Sequence, residues 1–151
     1  MKKIITIAFC LTVFLLGACK TEPDAKAVKK EVLNIHDKLM IDGARVVNNR
    51  IKLDAILRSG QIKSVDDSAK IADLVLSLNQ ADENMMDWMH AFKNDFNGKN
   101  EEENLNYFKS EMVKIRAVED DYIKVTRASD SVLRIYNVKP SDKMEMMHHK
   151  R

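Results

Sequence analysis

Histidine beside methionine, and carboxylate beside arginine, are the two combinations in this sequence whose side chains could act together. His36 and Met40 stand one helical turn apart, as do Met86 and His90, with Trp88 and Met89 inside the second pair. If the chain folds back on itself between them, His36 falls opposite Met86 and the two pairs converge. Imidazole nitrogen and thioether sulfur form a donor set for a soft ion such as Cu(I) or Ag(I). The expected metal-binding residues are therefore His36, Met40 and Met86, joined by Met89 or His90. The C-terminal run repeats this composition in Met144, Met146, Met147, His148 and His149. Plain packing is the competing reading: methionine fills irregular gaps in helical cores, Trp88 packs, and a flanking histidine stays hydrated.

Asp42, Asn49, Asp82 and Glu119 occupy positions where a helical bundle would place apolar side chains. The same folding back brings Asp42 and Asp82 near one level, with Arg45 and Arg116 within a turn. Asp42, Arg45, Asp82, Arg116 and Glu119 are thus expected to form a structural polar layer that fixes register. The alternative is a carboxylate metal or acid–base site. A two-metal carboxylate bundle uses paired Glu-x-x-His steps, and this sequence offers only the shorter Asp87-x-x-His90. It also contains no glycine-rich phosphate loop, paired-cysteine motif or nucleophile elbow. The expectation is a non-enzymatic protein, with no catalytic residues and Cu(I) as the one conceivable cofactor.

Positioning these residues falls to the elements around them. The chain has 151 residues, 45% of them hydrophobic, with four Gly, two Pro and two Cys; so few turn formers disfavour a many-stranded β fold. Lys2 and Lys3 precede an apolar run over residues 4–16, too short to span a bilayer. It ends in Leu16-Gly17-Ala18-Cys19, which resembles a bacterial lipobox. Residues 1–18 are therefore expected to be an export signal, with Cys19 acylated after cleavage. Cys10 leaves with the signal, so the mature chain has no cysteine pair to oxidise. Losing Lys2 and Lys3 takes the basic residues from 25 to 23, equal to the 23 acidic ones. A near-neutral chain lacks the footprint of a nucleic-acid binder, and membrane attachment is expected through the acyl chains.

Residues 19–24 read as a tether. Beyond it, Val28, Val32, Ile35, Leu39, Val46, Leu53 and Ile56 recur in helical steps over 25–58, closed by Ser59-Gly60. Ser64 is the expected N-cap of a second helix over 64–97, carrying Ile71, Val75, Leu78, Met85, Met89, Phe92 and Phe96 and closed by Asn97-Gly98. Asn100 and Glu101, Glu102 and Glu103 open a third over 101–137, with Leu105, Phe108, Met112, Ile115, Val118, Tyr122, Val125, Val132 and Tyr136. Short connections between such long helices predict an all-α, antiparallel up-down-up three-helix bundle with coiled-coil-like packing over 25–138. Pro140 ends the third helix and leaves 139–151 as a flexible tail.

Ile35-His36-Asp37-Lys38-Leu39-Met40 and Ala81-Asp82-Glu83-Asn84-Met85-Met86-Asp87-Trp88-Met89 resemble the matching stretches of a family of small exported helical lipoproteins from Bacteroidota. That family is often labelled viral A-type inclusion protein. The resemblance spans most of the mature chain, in the third helix chiefly as pattern. It implies a lipid-anchored bundle in the cell envelope and assigns no catalytic residues. The functional expectation is a structural or interaction module with an envelope protein as partner and self-association possible; soft-metal binding is the alternative.

Overall fold

The computed structural model describes residues 24–141 and contains three helices: α1 (Ala25–Arg58), α2 (Val65–Ala91) and α3 (Glu101–Ile135). The expected signal, the acylated Cys19, most of the tether and residues 142–151 lie outside the described residues. Each helix starts where a side chain can accept an otherwise unpaired backbone N–H. Asp24 caps α1 through Ala27 N–H, Ser64 caps α2 through Asp67 N–H, and Asn100 caps α3 through Glu103 N–H. At 27 to 35 residues the helices run roughly 40–50 Å.

Cross-helix contacts fix the topology. His36 meets Trp88, and Trp88 meets Glu111, so α2 runs antiparallel to both neighbours. Ala25 N–H donates to Glu101 at one end, while Asn49 meets Ser129 towards the other, so α1 and α3 run parallel. All three helix pairs touch, which makes this an up-down-up three-helix bundle, and the α1–α3 seam is the most extensive. Leu39 and Leu53 of α1, Leu78 of α2, and Ile115 and Leu133 of α3 are sealed in its core. Each such side chain contributes about 1.5–3 kcal/mol of transfer free energy. No described helix is long and apolar enough to cross a membrane.

Two boundaries depart from expectation. Helix α2 ends at Ala91 rather than 97, because Phe92 turns extended (ψ 129°) and the next N–H, of Lys93, is taken by the Tyr107 hydroxyl at 2.7 Å. Phe96 then stacks on Tyr107, ring centres 4.1 Å apart. Aromatic stacking against α3 has displaced two further turns of helix. Gly98 closes no helix: a Cβ there would lie 2.7 Å from Glu103 Cβ, so glycine is required for close approach to α3. Gly60, with φ +70°, does perform the expected left-handed closure after α1. Helix α3 stops at Ile135 rather than 137, in a Schellman turn with Asn137 at φ 56° and Val138 N–H donating to Leu133 O at 2.8 Å.

The start of the expected flexible tail is also held. Ser141 N–H donates to Asn49 Oδ1 at 3.1 Å, and Lys52 Nζ donates to Lys139 O and Ser141 Oγ, each at 2.9 Å. Asn49 is wholly buried. Its Nδ2 donates to Ser129 Oγ at 2.9 Å and Asp130 Oδ1 at 2.8 Å, and Asp130 Oδ2 pairs with Arg45 Nη2.

Gly43 and Gly98 should respond oppositely to alanine. Gly43 lies within α1, and a Cβ there meets only Tyr122 Oη at 3.8 Å, so Gly43→Ala should stabilise by up to about 1 kcal/mol through helix propensity. Gly98→Ala should destabilise by about 1–3 kcal/mol through overpacking. Asp130→Ala should cost about 3–5 kcal/mol, since it strands Arg45 in a mostly buried position. Denaturant unfolding of the three variants measures all of these, and equal signs at Gly43 and Gly98 would contradict the geometry.

Candidate functional site

Where α1 leans on the end of α2, a groove of about 340 Å³ is lined by Leu33, His36, Asp37, Trp88, Met89, Phe92 and Asn94. The core stripe of α2 reads Leu78, Ala81, Met85, Trp88, so Trp88 points inward and Met89 borders it. The indole is immobilised from three sides. Its Nε1–H donates to buried Glu111 Oε2 at 3.0 Å, its ring stacks on Phe92 with centres 4.8 Å apart, and the His36 ring lies 5.8 Å away, tilted by 40°. His36 Nδ1 is held 2.9 Å from Asp37 Oδ1. Ring contacts continue by stacking through Phe92, Tyr107 and Phe96 and edge-on to Phe108, forming an aromatic pole beside the starts of α1 and α3.

The expected methionine and histidine cluster is therefore only partly assembled. His36 and Met89 share the groove. Met86 follows Met85 by 100° around the helix, off the core stripe, and is 45% exposed. Met40 is 51% exposed, and His90 is exposed; none of these three lines the groove. Among the described residues, no group of three His, Cys, Asp or Glu is placed to hold a metal ion.

The expected polar residues lie near one another but do not pair as one layer. Arg45 turns along α1 to Asp130 and leaves Nε buried without a partner among the described residues. Arg116 is 54% exposed and pairs with Glu119 at 3.3 Å and Glu31 at 3.7 Å, while Glu119 also takes Lys38 Nζ. Asp82 and Asp42 converge on Tyr122 instead. Its hydroxyl hydrogen-bonds Asp82, and the phenol is pushed up to about 12, first by burial, then by the Asp82 charge and hydrogen bond, then by the Asp42 charge. Arg45, Asp42, Tyr122 and Glu119 share a second cleft of about 390 Å³ with Lys38, Leu39, Ile123, Thr126 and Arg127.

Glu111, Ser129 and Asp130 carry much of this geometry and were not singled out from the sequence. The signals were present. Ser129 fills the gap between Val125 and Val132 in the α3 stripe, as Asn49 fills that between Val46 and Leu53 in α1. A buried Trp88 needs an acceptor for its N–H, and Glu111 lies on the same face as Phe108 and Ile115.

Comparison of the chain with known protein families, curated proteins and solved structures returns no match. The assignment of sites thus stands on the geometry alone.

Tyr122 makes the bundle sensitive to alkali. The unfolded phenol ionises near pH 10, whereas the folded one keeps its proton to about 12. The stabilisation is complete below about pH 10 and is lost as pH rises from there to about 12, by roughly 2–3 kcal/mol at 1.36 kcal/mol per pH unit. Unfolding of wild type and Tyr122→Phe across pH 8–12 measures it, and the variant should show a flatter decline.

Proposed function

We propose that this chain is an acyl-anchored protein of the bacterial cell envelope whose bundle serves as a non-enzymatic interaction or structural module. The observation that carries the reading is the run from Lys2 and Lys3 through the apolar residues 4–16 to Leu16-Gly17-Ala18-Cys19, set just ahead of the Asp24 cap of α1. Six residues reach roughly 20 Å at full extension. An acyl group on Cys19 would therefore hold the aromatic pole close to the lipid surface and direct the other pole, with residues 59–64 and 136–141, away from it.

The use of polar side chains supports a module over a catalyst. Arg45 with Asp130, Lys38 with Glu119, Trp88 with Glu111, and Asn84 with Asp121 all join one helix to another. Groups spent in this way hold shape. Exposed Val65, Leu76 and Val113 are apolar points on the surface for an envelope protein or a second copy to cover. Kinship with the small helical lipoproteins of Bacteroidota belongs to the same proposal.

Growth with an alkyne fatty acid should label the wild-type protein and leave Cys19→Ala unlabelled, with the variant leaving the membrane fraction. Equal labelling of both overturns the anchor. Photo-crosslinkers placed at positions 65, 76 and 113 should capture one recurring envelope protein or a second copy; chains that stay uncrosslinked at all three positions overturn the interaction role.

A further inference from the structure

Packing accounts for Trp88 and Met89, and places His36 beside both with part of its ring open to solvent. Trp88 is buried and its N–H is satisfied by Glu111; Met89 rests against the main core. His36 sits at their edge with its side chain 26% exposed, and its only hydrogen bond among the described residues is the one from Nδ1 to Asp37. A carboxylate on one imidazole nitrogen fixes the tautomer and ring orientation and leaves the other nitrogen free to coordinate, an arrangement shared by histidines that ligate a metal. The remaining nitrogen, Nε2, belongs to a side chain that borders the same groove as Met89 and the Trp88 indole.

We propose that this groove binds one monovalent soft metal ion, Cu(I) or Ag(I), between His36 Nε2 and the Met89 thioether, with the Trp88 ring as its cover. One neutral nitrogen and one thioether are a weak set for a hard divalent ion and a suitable one for a soft monovalent ion. The π face of an indole attracts a desolvated cation. Glu111 and Phe92 hold that face in place before any ion arrives. Of the five residues expected from the sequence, Met40, Met86 and His90 lie outside the groove, and Asp37 enters as the positioning residue. The proposal is independent of acylation and of the interaction role.

The probe is Ag(I), titrated into the full chain in detergent micelles while following the emission of Trp88, the single tryptophan. The background carries Cys10→Ser, Cys19→Ser, Met144→Leu, Met146→Leu, Met147→Leu, His148→Gln and His149→Gln, which removes the two thiols and the soft donors of the C-terminal run. Saturable quenching at one ion per chain is expected. His36→Gln and Met89→Leu, both near in volume to the originals, should each abolish it, and Asp37→Asn should weaken affinity about tenfold. Met40→Leu and Met86→Leu should bind as the background does. Absence of saturable quenching in the folded background overturns the site, as does quenching undiminished in both His36→Gln and Met89→Leu.

Discussion

The register between α1 and α3 is the constraint on which the rest of the molecule depends. These helices are parallel and not consecutive, so no tight turn sets their relative height. Their apolar stripes would tolerate a slip of one heptad, since any leucine can sit beside any valine. Asn49, Ser129, Asp130 and Arg45 cannot slip: a shift would leave a guanidinium and a carboxylate without partners in largely buried positions. A single buried asparagine can select register in packed helices at some cost in stability. Here both donor hydrogens and the acceptor oxygen of Asn49 are engaged.

With α1 and α3 locked, α2 is left the third side of the bundle, and its inward face follows from volume. Trp88 offers the largest apolar surface of the helix and takes the interior, provided its N–H finds an acceptor. Glu111 supplies it, and Lys114 Nζ, 2.7 Å from the other carboxylate oxygen, balances the charge. The same competition shortens α2. Beyond Ala91, Phe92 and Phe96 gain more from stacking on Trp88 and Tyr107 than from prolonging the helix. The outcome is a molecule with an aromatic pole beside the N-terminal ends of α1 and α3. Its opposite pole is strapped by Lys52 and Ser141.

These two polar anchors differ in what they leave over. Around Asn49 the hydrogen bonds close on themselves apart from Arg45 Nε, and the effect is rigidity. Around Trp88 the indole is fixed, yet the groove beside it stays open and holds an oriented imidazole and a thioether. Rigidity at one face of a site and access at the other is the condition under which a donor set is preorganised.

Much of the architecture was legible in the residues. Apolar steps of three and four, with Ser64, Asn100 and Gly60 as punctuation, specify three helices and their order, because capping and periodicity are local properties of the chain. Every α1 stripe residue named from the sequence is buried. What the tertiary structure alone decided is which flank of each stripe faces a neighbour. A rotation of one residue, 100°, separates Met85 in the core from Met86 in solvent, and reflection about a turn cannot resolve an offset that small. The pairing of Arg45 with Asp130 rather than with the aspartates nearer the expected layer has the same origin. It depends on the height of α3 along α1, and two helices that no short loop joins fix that height only through the side chains between them.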